Sequence, residues 1–431
     1  MKRSRNILSA RMRLCNFHVL LLVATLLLIG TAHAQTFNVL YAFQYPGPVE
    51  PASGVTIDAA GNLYGTISAT YAGEGGVFKL SNRNRAWTFS LLFSFSYANG
   101  NTPLAPPAFG PDGSLYGTTY VGGIGCDLGC GNVYNLRPPV SICRTTLCYW
   151  TASTVWDFYS TPDGGIWPVF VNPLFDAAGN IYGTTSDDWP QSGLSGGNVF
   201  ELSRSNGVWS ETILHQFGNG TDGSGPESGL IRDSNGNLYG TTTDGGTDAS
   251  CNSGRGCGTI YELSPSGSGW TERVLYSFQG QNDGDSPVGG LVMDAAGNLY
   301  GTTVQDGANG GGTIFELTPS TGNWTLTTLY SFPKTGEPGA FCWGPEANLL
   351  LDRAGNLYGT TCTNGAYGYG AVFKLAHANG SWSYSSLHDF TNGNDGASPI
   401  GNPAFDRNGN ILGTAFKGGV NLEGTVWEIT P

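Results

Sequence analysis

An all-β fold, a seven-bladed β-propeller with four antiparallel strands in each blade, is predicted by three features of this 431-residue sequence. One short element recurs seven times, short apolar runs alternate with turn residues, and six copies are followed by a Trp and a Phe eight positions apart. The composition agrees, because 67 glycines and only 12% charged residues are typical of many strands joined by tight turns.

The repeated element is clearest at residues 58–66 and 294–302, which both read Asp-Ala-Ala-Gly-Asn-Leu-Tyr-Gly-Thr. Related copies make up the full set of seven. The glycines of the seven Gly-Thr pairs, which lie near the centres of the repeats, are Gly65, Gly117, Gly183, Gly240, Gly301, Gly359 and Gly413. The 348 residues from the first to the last span six intervals, an average of 58 residues per repeat. A period of this length indicates a tandem array of one supersecondary unit.

Each repeat has the same order of strands and turns. In the fifth repeat, strands are predicted at residues 290–293, 299–303, 313–317 and 324–332. Asn and Gly in the intervening turns tolerate the positive φ angles that tight hairpins need. Four antiparallel strands per repeat correspond to one propeller blade.

The ring is predicted to close through the N-terminal strand. Only six fourth strands follow the seven repeats, and the last repeat ends at Ile429 in its third strand. The unassigned strand lies at the other end of the chain, in residues 38–43. We therefore expect residues 35–431 to form a single propeller domain in which this strand completes the seventh blade and leaves no open edge.

Residues 1–34 have the pattern of a signal peptide: a basic start, an apolar run over residues 19–30 and a small-residue cleavage site ending at Ala34. The alternative is an uncleaved N-terminal anchor. Cleavage removes five of the 19 basic residues and none of the 32 acidic ones, which leaves a net charge of −18. We expect a secreted or periplasmic protein that does not insert into a membrane after cleavage. Such a charge disfavours nucleic acid partners.

Eight cysteines remain in the mature chain, an even number that suits an oxidising compartment. Local pairing predicts four disulfides: Cys126 with Cys130, Cys143 with Cys148, Cys251 with Cys257, and Cys342 with Cys362. A zinc site is the alternative for the first pair, although no second pair follows at the usual distance.

The loops between the second and third strands and those between blades vary most, and they share one face of the predicted ring. We call this the variable face, and binding sites are expected there. The loops between blades repeat an Asp-Gly pair before a proline, so calcium binding is possible through Asp222, Asp283, Asp285 and Asp395. The alternative is that each aspartate stabilises its own turn.

A carbohydrate site is the second hypothesis for this face. The non-repeated loop Asp187-Asp188-Trp189 pairs acids with an aromatic residue, and further aromatic candidates are Trp167, Trp343, Tyr367 and Tyr369. Simple packing of the loops is the alternative. No catalytic residue is assigned, because the Gly-x-Ser-x-Gly string at residues 193–197 lacks its strand-to-helix context.

The Asn-Leu-Tyr-Gly-Thr-Thr element at residues 298–303, followed by Gly-Gly-Thr-Ile-Phe-Glu-Leu at residues 311–317, resembles the tandem repeat called GloVer. The resemblance implies a bacterial exported protein, often with a C-terminal anchoring segment, and brings no enzyme activity, cofactor or catalytic residue. This sequence departs from that pattern, because it reaches Pro431 without an apolar tail.

Together these features favour an exported, non-catalytic binding or scaffold module, expected to be a monomer, with a protein or glycan partner on the variable face. Two alternatives stay open. One is a carbohydrate-active hydrolase or lyase that uses loop carboxylates on the same face. The other is a purely structural envelope protein.

Overall fold

The computed structural model describes residues 35–430 except 69–73, 85, 125, 127–128, 140–149, 160–164, 187–195, 219, 268, 336–341 and 343. The predicted signal peptide at residues 1–34 therefore lies outside the described residues. So do the predicted Cys143–Cys148 pair and four of the ligand candidates, Asp187, Asp188, Trp189 and Trp343.

The predicted fold is confirmed: seven antiparallel four-stranded sheets form a ring of seven blades. The strands of the first four blades are β2 Thr56–Ile57, β3 Leu63–Ile67, β4 Gly76–Arg83, β5 Ala86–Ser94; β6 Ala108–Phe109, β7 Leu115–Thr119, β8 Asn132–Arg137, β9 Thr151–Asp157; β10 Leu174–Phe175, β11 Ile181–Thr185, β12 Asn198–Ser205, β13 Val208–Gln216; β14 Ile231–Arg232, β15 Leu238–Thr242, β16 Thr259–Ser266 and β17 Gly269–Ser277.

The remaining strands are β18 Val292–Met293, β19 Leu299–Thr303, β20 Gly310–Ser320, β21 Asn323–Pro333; β22 Leu350–Leu351, β23 Leu357–Thr361, β24 Ala371–Ala378, β25 Ser381–Asp389; β26 Ala404–Phe405, β27 Ile411–Ala415, β28 Thr425–Thr430, and the N-terminal β1 Thr36–Ala42. Two short 3-10 helices, Tyr97–Asn99 and Asn252–Gly254, lie in loops. No helix among the described residues is both long and apolar enough to span a membrane.

The seventh blade joins the two ends of the chain. Its sheet has the order β1-β28-β27-β26, so the N-terminal strand is the outermost strand of the last blade. Just beyond β1, the Phe43 amide donates to the Gly424 carbonyl at 3.0 Å, and Asn421 Nδ2 donates to the Phe43 carbonyl at 2.9 Å. The predicted closure by the N-terminal strand is thus confirmed.

In each Gly-Thr pair, only glycine leaves room for the aromatic ring that lies over it from the next strand. Gly301 pairs in register with Phe315, and a Cβ added at Gly301 would lie 2.5 Å from Phe315 Cζ. The same pairing recurs in every blade, through Gly65 with Phe78, Gly117 with Tyr134, Gly183 with Phe200, Gly240 with Tyr261, Gly359 with Phe373, and Gly413 with Trp427. The aromatic ring covers the glycine and fills the space that a side chain would occupy.

In three blades, the threonine of the pair links one blade to the next. Thr66 Oγ1 donates to the Pro103 carbonyl at 2.9 Å, and Thr118 and Thr184 make the corresponding bonds to Val171 and Ser228, also at 2.9 Å. Buried hydroxyls are stable only when they are hydrogen-bonded. The Gly-Thr pairs of these blades are therefore accounted for by packing within and between blades, whereas Thr302 Oγ1 and Thr360 Oγ1 are buried without a hydrogen-bond partner among the described residues.

The hydrophobic core lies between the blades. One cluster joins Ile260 and Phe278 of the fourth blade to Leu299 and Phe315 of the fifth, and all four side chains are fully buried. Six further clusters join the other neighbouring blades in the same way. Stability therefore comes from a ring of equivalent interfaces, which provides a rigid support for the loops of the variable face.

Tyr261 carries a polar atom into this core. Its hydroxyl is fully buried and has no hydrogen-bond partner among the described residues, whereas the equivalent residues Phe200 and Phe315 carry no hydroxyl. A buried, unpaired hydroxyl costs free energy. We expect Tyr261→Phe to raise the free energy of unfolding by about 1 kcal/mol, measured by urea denaturation. A decrease in stability would show that this hydroxyl is paired in solution.

Three of the four predicted cysteine pairs are disulfides in the structure: Cys126–Cys130, Cys251–Cys257 and Cys342–Cys362. Their Cα–Cα distances of 5.4, 5.0 and 6.0 Å suit such bonds. All three tie down loops of the variable face. The Cys251–Cys257 bond closes a small loop that forms part of the site described next.

Candidate functional site

One cavity lies on the variable face beside the central axis. It has a volume of about 310 Å³, which is within the usual range for small-molecule sites. We call it the basin. Its lining residues are Phe170, Glu227, Thr243, Asp244, Asn252, Arg255, Ser286, Val288, Val304, Gln305 and Glu346. These residues come from the loops between second and third strands and from the connections that enter the blades.

The inner wall of the basin is formed by residues that occupy equivalent positions in different blades. Each blade begins with a proline, and in most blades the next residue lies at the channel mouth. That residue is Ala52, Leu104, Val288 or Ile400 in four blades, but Glu227 and Glu346 in two others. Phe170, from the third blade, occupies the same rim. Two carboxylates and an aromatic ring therefore replace small or aliphatic side chains on one side of the mouth.

Beside the basin lies a small cavity of about 10 Å³, enough for roughly one water molecule. Asn348 and Asn402 help to fill it, since the Asn348 side chain accepts from the Gly290 amide at 2.6 Å and the Asn402 side chain accepts from the Asn348 amide at 2.9 Å.

The outer wall is a polar network held by the Cys251–Cys257 disulfide. Asp244 is buried and forms an ion pair with Arg255, with 3.2 Å between Asp244 Oδ2 and Arg255 Nη1. Asn252 Nδ2 lies 2.8 Å from Asp244 Oδ1 and 2.9 Å from Ser286 Oγ. Arg255 is half-exposed, so its guanidinium has donors that face solvent while Asp244 holds its position.

A second, smaller cavity of about 50 Å³ adjoins the basin, since Val304 and Gln305 line both. Asp306 lines the smaller cavity. Its neighbour Asp285 is only 4% exposed, and Asp285 Oδ1 has no hydrogen-bond partner among the described residues. Burial, together with the charge of Asp306, raises the pKa of Asp285 to about 6.

The other three calcium candidates stabilise their own loops. Asp222 accepts from the Gly218 amide at 2.9 Å, Asp283 from the Gln279 amide at 3.0 Å, and Asp395 from the Thr391 amide at 2.9 Å. Each of these three carboxylates is engaged by an amide four residues earlier, as the turn hypothesis expects.

The same three carboxylates also meet the preceding fourth strand. Asp283 Oδ2 accepts from the Tyr276 hydroxyl at 2.8 Å, and His388 Nε2 lies 3.0 Å from Asp395 Oδ2. His215 lies 3.6 Å from Asp222 in the same arrangement. Burial lowers the pKa of both histidines, while the neighbouring aspartate opposes this effect. These histidines therefore occupy a structural position that a tyrosine fills elsewhere.

The aromatic candidates are placed at separate blades. Trp167 enters the third blade and packs against Tyr120, with 6.0 Å between ring centroids. Tyr367 and Tyr369 lie in the loop of the sixth blade, 62% and 43% exposed. None of these three residues lines the basin.

Two buried carboxyl groups lie at the outer rim, away from the basin. Glu211 and Glu272, on β13 and β17, occupy a position filled by Leu326 and Tyr384 in the next two blades. Burial raises the pKa of both groups to about 7. The Trp156 side chain lies beside Glu211, and its hydrogen bond opposes the larger effect of burial on the pKa of Glu211.

This burial predicts a pH-dependent stability. The pKa of Glu211 in the folded state lies above its ordinary value of 4.5, so folding favours the protonated form. Stability should therefore fall as the pH rises from about 4.5 to 7. We expect Glu211→Leu to raise the free energy of unfolding by about 2–3 kcal/mol at pH 8 and to change it little at pH 4. Urea denaturation at the two pH values checks this, and an equal effect at both would contradict it.

The basin residues were missed in the sequence because they do not form a motif. The available signal was a departure from the repeat: Glu227 and Glu346 follow the blade prolines, where other blades have small or aliphatic residues. Arg255 is also distinctive, since it and Lys417 are the two basic residues in the seven loops between second and third strands. Such departures stand out only after the repeats have been aligned on the structure.

Comparison with known proteins adds a family match and distant structural similarities. The model of the Gloeobacter/Verrucomicrobia repeat matches residues 169–427. No protein with a curated description matches the sequence.

Three solved structures illustrate the similarity in fold. A protein described as a 6-phosphogluconolactonase candidate, from Bacteroides uniformis, is 15% identical with a TM-score of 0.47, covering 78% of this chain and 84% of its own. One described as an oxidoreductase (glucose dehydrogenase) candidate, from Thermus thermophilus, is 14% identical with a TM-score of 0.41, covering 75% and 95%. A Dyadobacter fermentans protein of unknown function is 8% identical with a TM-score of 0.45, covering 92% and 98%. At these values the similarity carries no information about activity.

Proposed function

The chain belongs to the Gloeobacter/Verrucomicrobia repeat family, and this membership names a repeat and not an activity. We propose that the protein is an exported binding module that holds a saccharide in the basin. The single observation that carries this proposal is the lining of the basin. Carboxylates, a guanidinium and amides surround a cavity that also exposes the Phe170 ring. Sugars offer hydroxyls to such groups and an apolar face to an aromatic ring.

The charge of the site limits the kind of saccharide. Glu227, Asp244 and Glu346 bring three carboxylates to the basin, and Arg255 brings one guanidinium. The whole chain has a formal net charge of −13. An anionic polysaccharide would be repelled, so we propose a neutral or amino-substituted sugar.

A glycan array on the purified, oxidised mature protein tests the proposal. We expect saturable binding to neutral or amino-sugar glycans and no binding to polygalacturonate. Arg255→Ala should weaken the affinity about 10- to 100-fold, because a hydrogen bond to a charged group contributes about 1.5–3 kcal/mol. Lys417→Ala is the matched control, since Lys417 is the other basic residue in loops of this type. Unchanged binding by the Arg255 variant would contradict the proposal.

A hydrolase is the second candidate, and the proximity of Asp285 and Asp306 favours it. Their carboxylate oxygens lie within 4.8 Å of each other, and paired carboxylates perform glycoside hydrolysis. However, Asp285 is almost completely buried and its Oδ1 is shielded from solvent, so it is poorly placed to reach a substrate. Release of reducing sugar in the array wells would support this candidate over simple binding.

A further inference from the structure

The pair Asp285 and Asp306 departs from the repeat at two adjacent positions. The backbone of Asp285 forms an isolated β-bridge with Gln305. In two other blades, the equivalent β-bridge joins Ser224 to Asp244 and Ala397 to Lys417. Ser224 and Ala397, which are equivalent to Asp285, are neutral. Of these three blades, only the fifth has a carboxylate at this position. Asp285 is 4% exposed, and a hydrogen bond from the Ser286 side chain compensates part of its charge, but its Oδ1 has no hydrogen-bond partner among the described residues.

Asp306 departs from the repeat in its backbone as well. The backbone of Asp306 forms an isolated β-bridge with Gly311. In two other blades, the equivalent β-bridge joins Gly245 to Gly256 and Gly418 to Glu423. The φ angle of Asp306 is +56°, and Gly245 and Gly418 have φ angles of +78° and +71°. A left-handed conformation suits glycine and is less favourable for a residue with a Cβ. The fifth blade thus has an aspartate where two other blades have glycine.

The two departures bring two like charges together. Oxygen atoms of Asp285 and Asp306 lie within 4.8 Å of each other and of Cys251 Sγ. The Gln281 amide donates to Asp306 Oδ2 at 3.3 Å, which orients that carboxylate. A buried carboxylate beside another acid is unfavourable unless a proton or a cation compensates the charge.

We propose that Asp285 and Asp306 form a calcium site. Cys251 is oxidised in its disulfide, so the ionisable donors at this point are carboxylate oxygens, which hard cations prefer. Calcium takes six to eight oxygen ligands. The two carboxylates would supply the charged ligands, and the remaining oxygens would come from backbone carbonyls and water.

The site is joined to the basin. Ser286, which follows Asp285, and Gln305, which precedes Asp306, both line the basin. Asn252 connects Ser286 to Asp244 through the contacts described above. Calcium would therefore fix two segments of the basin wall, and saccharide binding should depend on calcium. This second statement rests on the proposed function, whereas calcium binding itself does not.

Isothermal titration calorimetry with calcium chloride on the chelator-treated mature protein tests the proposal. We expect one ion per chain with a dissociation constant on the order of 10⁻⁴–10⁻³ M, as in other extracellular modules. Asp285→Ser and Asp306→Gly should each weaken binding at least about tenfold. Both variants restore residues that other blades carry, and thermal unfolding in chelator shows whether they fold. Asp222→Asn, in a loop that only stabilises itself, is the control and should bind normally.

Two results would overturn the proposal. One is the absence of saturable calcium binding by the wild-type protein, in which case a proton compensates the pair. The other is unchanged affinity in both site variants. Magnesium chloride is titrated in parallel, and equal or tighter binding of magnesium would contradict the assignment to calcium. If calcium binds but no array glycan does, the calcium site stands and the proposed function fails.

Discussion

Replacing Phe315 with alanine is expected to lower the free energy of unfolding by about 3–5 kcal/mol. The side chain is fully buried between two blades, and its ring covers the backbone of Gly301 on the adjacent strand. Alanine would leave a cavity and an uncovered glycine. Urea denaturation followed by tryptophan fluorescence measures the change. Val208→Ala, at a position that is 70% exposed, is the control and should stay within about 0.5 kcal/mol of the wild type.

Gly301, which the Phe315 ring covers, should also be sensitive to substitution. Gly301→Ala would place a Cβ 2.5 Å from Phe315 Cζ, so it should destabilise the protein by about 1–3 kcal/mol. Gly269→Ala is the matched control, because a Cβ there meets nothing within 4 Å. Equal effects of the two glycine substitutions would show that the ring does not require glycine at this position.

Removal of residues 35–43 is expected to have the second large effect. This deletion takes away β1, the outermost strand of the seventh blade, and Phe43, which is buried against the first blade. The exposed edge of β28 would then be free to pair with another chain. We expect self-association in size-exclusion chromatography with light scattering and loss of the single cooperative unfolding transition.

A synthetic peptide of residues 35–43 provides the control for this deletion. If the shortened chain folds apart from its missing strand, the peptide should bind to it and restore the monomer. A shortened chain that stays monomeric and unfolds like the chain beginning at Gln35 would contradict closure by β1.

The fold could be predicted from the sequence because the contacts that recur in the blades are made by residues that recur in the sequence. The Gly-Thr pair, the aromatic residue on the third strand and the paired aromatics of the fourth strand occur in nearly every copy. Each has one structural role, as the pairing of Gly301 with Phe315 and the bond from Thr66 to the next blade show. Even the closure could be found, because the count of fourth strands was one short.

The basin could not be predicted in the same way. Its distinctive residues occur once, at positions where the repeat has something else, and they come from separate blades. Glu227 and Glu346 lie 119 positions apart in the sequence, yet both line one cavity. Asp285 was named as a calcium candidate with three other aspartates, but its partner Asp306 was not, because a left-handed backbone position is not visible in the sequence.

The recurring residues build the interfaces between blades, whereas several of the residues that line the basin depart from the repeat. In this chain the lining residues come mainly from the fourth and fifth blades, with Phe170 from the third blade and Glu346 at the entry to the sixth. A disulfide, Cys251–Cys257, holds the loop that carries Arg255.

Hydrogen–deuterium exchange with the best glycan from the array tests the central claim most directly. We predict that the glycan slows exchange in residues 243–256, 284–288 and 304–307, which form the walls of the basin. The loop that contains Tyr367 and Tyr369 should be unaffected. Protection in that loop, or in any sector away from the residues that line the basin, would contradict the assignment of the basin as the binding site.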